Sequence, residues 1–242
     1  MNLLRRPMGA LAVCLITITL STSAQTEDGR KLLRMASKLA GEGKYPGALR
    51  IFEQVRRDHP DSIVPLDGDM FATLYGIQGD TAGHLEHSKW MLKRFPNPKR
   101  VENAERCAKA CILAPGIDDQ ELLRHAARLT RYAATEGKGE FAPWFHVAHG
   151  MAEYRLKNYE EAVRWLEDAI DNEEIMIRSL ALAYHTLALH GLDKPLQATE
   201  SLERARAIDY KMPKVGSREF AREWSNILAF QIGLREAEAT IR

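Results

Sequence analysis

The stretch HVAHGMAEYRLKNYEEAVRWLEDAI, residues 146–170, decides the fold. Gly150, Tyr159, Ala162, Leu166 and Ala169 stand in it at relative positions 0, 9, 12, 16 and 19. Ala162, Leu166 and Ala169 follow one another at i, i+4 and i+7, which places them on one face of a helix. Leu156-Lys157-Asn158 interrupts the apolar pattern and predicts a turn. Gly150, with no side chain, lets the helix after that turn approach the one before it. The stretch therefore predicts a helical hairpin. One hairpin cannot bury its apolar face alone, so the reading demands neighbours of the same kind.

Those neighbours are present. Ala36, Tyr45, Ala48, Phe52 and Val55 repeat the five offsets between Gly29 and Asp58. Gly41 to Lys44 supplies the turn and Pro60 ends the second helix, since proline cannot continue one. Further hairpins are expected over Asp67–Gly79 with Thr81–Phe95, and over Glu174–Gly191 with Pro195–Ile208. Between them lie Lys99–Leu113 and a helix capped by Asp118 or Asp119 that runs to Glu136. The reference positions Ala48, His84, Ala126, Ala162 and Ala198 advance by 36, 42, 36 and 36 residues. Ser217 to Glu238 reads as a last amphipathic helix, with Phe220, Trp224, Ile227, Leu228 and Ile232 on one stripe, expected to cap the final hairpin.

These spacings resemble the tetratricopeptide repeat, a unit of 34 residues with small side chains at fixed positions of a helical pair. Ala36 and Gly150, Ala48 and Ala162, and Val55 and Ala169 match its three small positions, and Pro60 its terminating proline. The family's early Trp is replaced by Leu32 and His146, and the 146–170 copy lacks the final proline. The resemblance implies an all-α, right-handed α-solenoid of about five hairpins plus a C-terminal capping helix. The shorter stretch Ala104–Pro115 also resembles the repeat region following the kinase domain of some bacterial serine/threonine kinases. No kinase motif accompanies it, so only the scaffold is carried over.

Composition sets bounds on function. Of 242 residues 45% are apolar and 28% charged, ordinary for a globular chain, and the net charge of +1 gives no electrostatic case for nucleic acid. Arg5 and Arg6 precede an uncharged apolar run, Met8–Leu20, and Thr22 and Ala24 offer small residues ahead of a polar segment. That is a signal-peptide pattern with cleavage after Ala24, which divides the chain into residues 1–24 and a helical domain, 25–242. Export to the periplasm or medium is expected, with an uncleaved membrane anchor as the alternative.

No catalytic constellation is found, and neither a metal nor a cofactor is expected. Cys107 and Cys111, four apart on one helix, suit close packing better than a disulfide. His146 and His149 lie on one helical face with Glu153 and offer a metal-binding or enzymatic alternative, but they lack a third ligand at recognised spacing. The tetratricopeptide resemblance implies that the first helix of each hairpin lines a concave groove. Trp144, Val147, Met151, Tyr154 and Arg155 from one hairpin, and Tyr184, Leu187 and His190 from the next, then become candidate residues for binding a protein or peptide partner. A homo-oligomer burying the same apolar surface is the third reading.

Overall fold

The computed structural model describes residues 10–241, and side-chain surroundings from Thr26 onward. The described residues form eleven α-helices, two short 3-10 turns and no strand. The α-helices are α1 (Ala10–Gly41), α2 (Tyr45–Asp58), α3 (Pro65–Gln78), α4 (Thr81–Arg94), α5 (Val101–Ile112), α6 (Gln120–Glu136), α7 (Ala142–Arg155), α8 (Tyr159–Glu167), α9 (Ile175–Gly191), α10 (Pro195–Asp209) and α11 (Arg218–Thr240). The all-α class expected from periodicity is the class observed. Arg5 and Arg6 lie outside the described residues, and α1 runs through Ala24 without a break. No described helix is long and apolar enough to cross a membrane.

Helices α1 to α10 pair in sequence, α1 with α2 through α9 with α10, and each pair packs on the next. Four of the five pairs turn in the same way. Gly43, Gly79, Lys157 and Asp193 each adopt a left-handed backbone, with φ of 77°, 70°, 65° and 56°. The N–H groups of these residues bond back to Ala40, Gly76, Tyr154 and His190. Those of the following residues, Lys44, Asp80, Asn158 and Lys194, reach Leu39, Tyr75, Glu153 and Leu189 at 2.9–3.0 Å. This double closure satisfies carbonyls that a helix end leaves free, and the chain re-enters a helix one residue later. The α5–α6 pair departs from the pattern. Its connection is longer, bends at Gly116 (φ 80°), and is closed by the Asp119 carboxylate, which accepts from the Leu122 N–H at 3.1 Å.

The stripes read from the sequence are the faces these pairs bury. Ala48, Phe52, Val55, Ala162, Leu166, Ala169, Ala198 and Ala205 are inaccessible to solvent. At Gly150 a Cβ would lie 2.6 Å from Leu166 Cγ, so only glycine admits α8 at this distance from α7.

The last helix is where expectation and structure part. Helix α11 does not merely cap the final pair; it lies against α1, α3, α9 and α10. The reason is that its apolar surface is too broad for an end cap, which needs one solvated face. Phe220, Trp224, Ile227, Leu228 and Ile232 are buried as expected, but so are Ala229, Phe230, Leu234 and Ala237. Glycines on its own length and on its neighbours set the separation. A Cβ on Gly76 would meet Ile232 at 2.6 Å, and one on Gly233 would meet Tyr184 at 2.9 Å. The Trp224 indole N–H donates to Ser37 of α1 at 3.2 Å, and its ring packs near Phe71 of α3.

Four histidines are built into the helix contacts as neutral groups: His84, His87, His149 and His185. Burial is the leading cause in each, and it brings the imidazole down to about 3 at His84 and about 4 at the other three. His87 donates to the Gly68 carbonyl at 2.9 Å, while His149 and His185 pair with the hydroxyls of Thr130 and Ser201 at 3.1 Å. In the unfolded chain each would bind a proton near 6.5, so their stabilising contribution is complete above that pH and is lost as pH falls toward 4. The carboxylates raised by burial, Asp69 to about 6 together with Glu53 and Glu174, work in the opposite sense, while Glu42, Glu102 and Asp119, held low by their partners, work with the histidines. The thermal midpoint is therefore expected to fall steadily between pH 7 and pH 4.5. Replacing His185→Gln should flatten that slope, and a midpoint level across the range would contradict the assignment.

Candidate functional site

The eight residues expected to line a groove do not form one surface. Val147, Met151 and Tyr184 are inaccessible and Leu187 is 1% exposed, so none of the four presents itself to a partner. His190 is exposed at the end of α9, away from the others in accessibility if not in sequence. Trp144 is half-buried and lines a separate pocket, described below.

Tyr154, Arg155 and Tyr184 are engaged by the chain itself. The Arg155 guanidinium donates to both carboxylate oxygens of Glu236 on α11, at 2.5 and 2.7 Å. Its remaining N–H groups reach the carbonyls of Ile112 (2.8 Å) and Leu113 (3.1 Å) at the end of α5, and the Tyr184 hydroxyl (3.2 Å). The Tyr154 hydroxyl donates to Glu236 at 3.1 Å and that of Tyr184 to the Leu113 carbonyl at 3.0 Å. Burial, then the Arg155 and Glu236 charges, act on the Tyr184 phenol, whose titration is pushed up to about 12. These groups join α5, α7, α9 and α11. The aromatic-and-arginine face expected to receive a foreign segment is thus occupied by α11.

A second polar cluster lies in a cavity of about 300 Å³ walled by α3, α5, α7 and the first half of α11. Lys109 of α5 reaches Asp69 of α3 at 3.0 Å and Glu105, one turn earlier, at 2.9 Å. All three residues are at least nine-tenths buried. Two carboxylates surround one ammonium, and both hold the proton on Lys109 well above the usual lysine range despite its burial. The ammonium also stands 5.6 Å from the centre of the Trp144 ring. Desolvation and the nearby Glu105 carboxylate raise Asp69 against the pull of Lys109. Leu66 and Phe141 at the mouth are exposed large apolar side chains.

Sequence reasoning reached Trp144 and missed Asp69, Glu105 and Lys109. The signal was available as an i, i+4 Glu–Lys pair on the same short helix as the two cysteines. A carboxylate pair within α3, Asp67 and Asp69, stood in an otherwise apolar run. Such pairs are ordinary on solvated helices, and only the packing of α3 on α5 turns Asp69 and the Glu105–Lys109 pair toward each other, while Asp67 meets Arg30 of α1 instead.

The two cysteines and the His146–His149 pair lie in contacts between helices. Cys107 and Cys111 are free and buried, and desolvation pushes the Cys107 thiol up to about 12. His146 and His149 both abut the Trp165 ring, at 5.1 and 4.9 Å between centres. Among the described residues no group of three or more His, Cys, Asp or Glu side chains could hold a metal ion. No family model, curated protein or solved structure matches the chain.

The Arg155–Glu236 pair yields a direct test. Removing either partner leaves a buried charge without its counterion, at a cost of about 3–5 kcal/mol. Glu236→Leu and Arg155→Met are each expected to lower the denaturation midpoint markedly. The double variant should lose much less than the sum of the two. Additive losses in chemical denaturation would mean that the two groups are not coupled.

Proposed function

We propose that the protein is a non-catalytic binding module: a right-handed solenoid of tetratricopeptide-like hairpins that holds a protein or peptide segment, exported to act as a scaffold or assembly factor in the cell envelope. The repeated hairpin spacing and the signal-like start of the sequence support the architecture and the compartment. The observation that carries the binding reading is the half-open pocket beside Trp144. Apolar side chains at its mouth, Leu66 and Phe141, are 42% and 49% exposed, and its floor is charged and desolvated. Sites that fix a ligand's orientation combine apolar surface with a few placed polar groups, and both kinds of side chain line this pocket.

The docking surface moves accordingly from the α7–α9 face, which α11 covers, to the junction of α3, α5 and α7. The test is retention of capped random pentapeptides by the immobilised protein, quantified by mass spectrometry. The Leu66→Ser/Phe141→Ser double variant is expected to lose most of the retention with an unchanged melting temperature. Leu196→Ser, on the exposed side of α10, should retain peptides as the parent does. Retention that survives the double variant would put the surface elsewhere, and absence of any retained peptide would remove the binding reading.

A further inference from the structure

We infer that the pocket beside Trp144 takes the ammonium or guanidinium group of a lysine or arginine side chain carried by the bound segment. The inference rests on the peptide-binding reading above and names the chemistry that this site selects.

The floor of the pocket is short of positive charge. Asp69 and Glu105 are 7% and 5% exposed, and among the described residues Lys109 is the cation paired with both. Lys109 bonds through Asp69 Oδ2, and Asp69 Oδ1 is left buried with no hydrogen-bond partner. A buried carboxylate oxygen without a donor is costly, and although this oxygen is itself shut off from solvent, Asp69 belongs to the lining of the cavity. An incoming N–H donor bearing a positive charge satisfies both deficits at once. The elevated titration of Asp69 has the same origin: burial and the second carboxylate outweigh what Lys109 returns.

The remaining walls suit a long basic side chain. Leu66 and Phe141 offer apolar cover for its methylene stem while its head seeks charge, beside a Trp144 ring that already carries Lys109 on one side. A cavity of about 300 Å³ has room for one such side chain. Glu102 and Glu174 extend the acidic lining toward the mouth. The arginines of the same lining, Arg106 and Arg222, are respectively half-buried and exposed. Arg106 acts on Asp69 more weakly than Lys109 and Glu105 do, and Arg222 is exposed, so the preference is set mainly by the desolvated carboxylates of the floor.

The experiment uses three pools of capped pentapeptides, randomised except for a central arginine, norleucine or aspartate, applied to the unaltered protein. The arginine pool is expected to be retained about tenfold or more over the norleucine pool, the scale of a desolvated charge pair. Asp69→Asn should abolish that preference. Because the comparison is made between ligands on the native protein, it stands even where the variant folds poorly. Equal retention of arginine and norleucine pools, or a preference for aspartate, would overturn the cation assignment while leaving peptide binding intact. Retention of no pool removes the peptide reading, and calorimetry with agmatine then decides the site alone. Agmatine bound by the parent and not by Asp69→Asn would uphold a cation pocket for a small amine, and no heat of binding would overturn it.

Discussion

Arg155 is the constraint on which the arrangement of helices turns. Its guanidinium is enclosed, cannot give up its proton, and must find acceptors for every N–H it carries. Two backbone carbonyls at the end of α5 and a tyrosine hydroxyl on α9 take part of the load, and among the described residues only Glu236 of α11 supplies the opposite charge. A planar fork accepts such partners in one geometry. Helices far apart in sequence are therefore held in register at one point. Apolar packing alone tolerates sliding; a buried bidentate pair does not. The arrangement is selective rather than simply stabilising, because an apolar replacement of both partners would avoid the desolvation of two charges.

The hairpins were readable because their determinants are local. A left-handed residue, a bond back over five positions and a proline or capping residue are all encoded within one turn of chain, and they recur at Gly43, Gly79, Lys157 and Asp193. Periodicity likewise exposed Ala162, Leu166 and Ala169 as a buried face. The course of α11 was not readable in the same way. Its stripe of Phe220, Trp224 and Ile227 announces that something will be covered, yet the identity of the cover depends on small residues elsewhere, such as Gly76, whose meaning appears only when Ile232 is seen against it.

The candidate site shows the same division. Trp144 stood out by its chemistry. Lys109 and Glu105 looked like a surface pair of small energetic weight, and became a buried cluster only because α3 brings Asp69 to them from forty residues away in sequence. The faces taken by Tyr154 and Tyr184 illustrate the converse. Aromatic and arginine side chains at helical spacing describe a good binding surface, and they describe equally well a surface already filled by the protein's own final helix.

That filling changes how the molecule answers force. An open array of stacked hairpins behaves as a spring, since each pair touches only its neighbours and small rotations add along the stack. Here α11 touches both the first helix and the last pair. It acts as a strut across the array, so bending or stretching cannot be shared out in small steps among the hairpins. Such a brace makes the array stiffer toward small deformations than an open stack of the same hairpins.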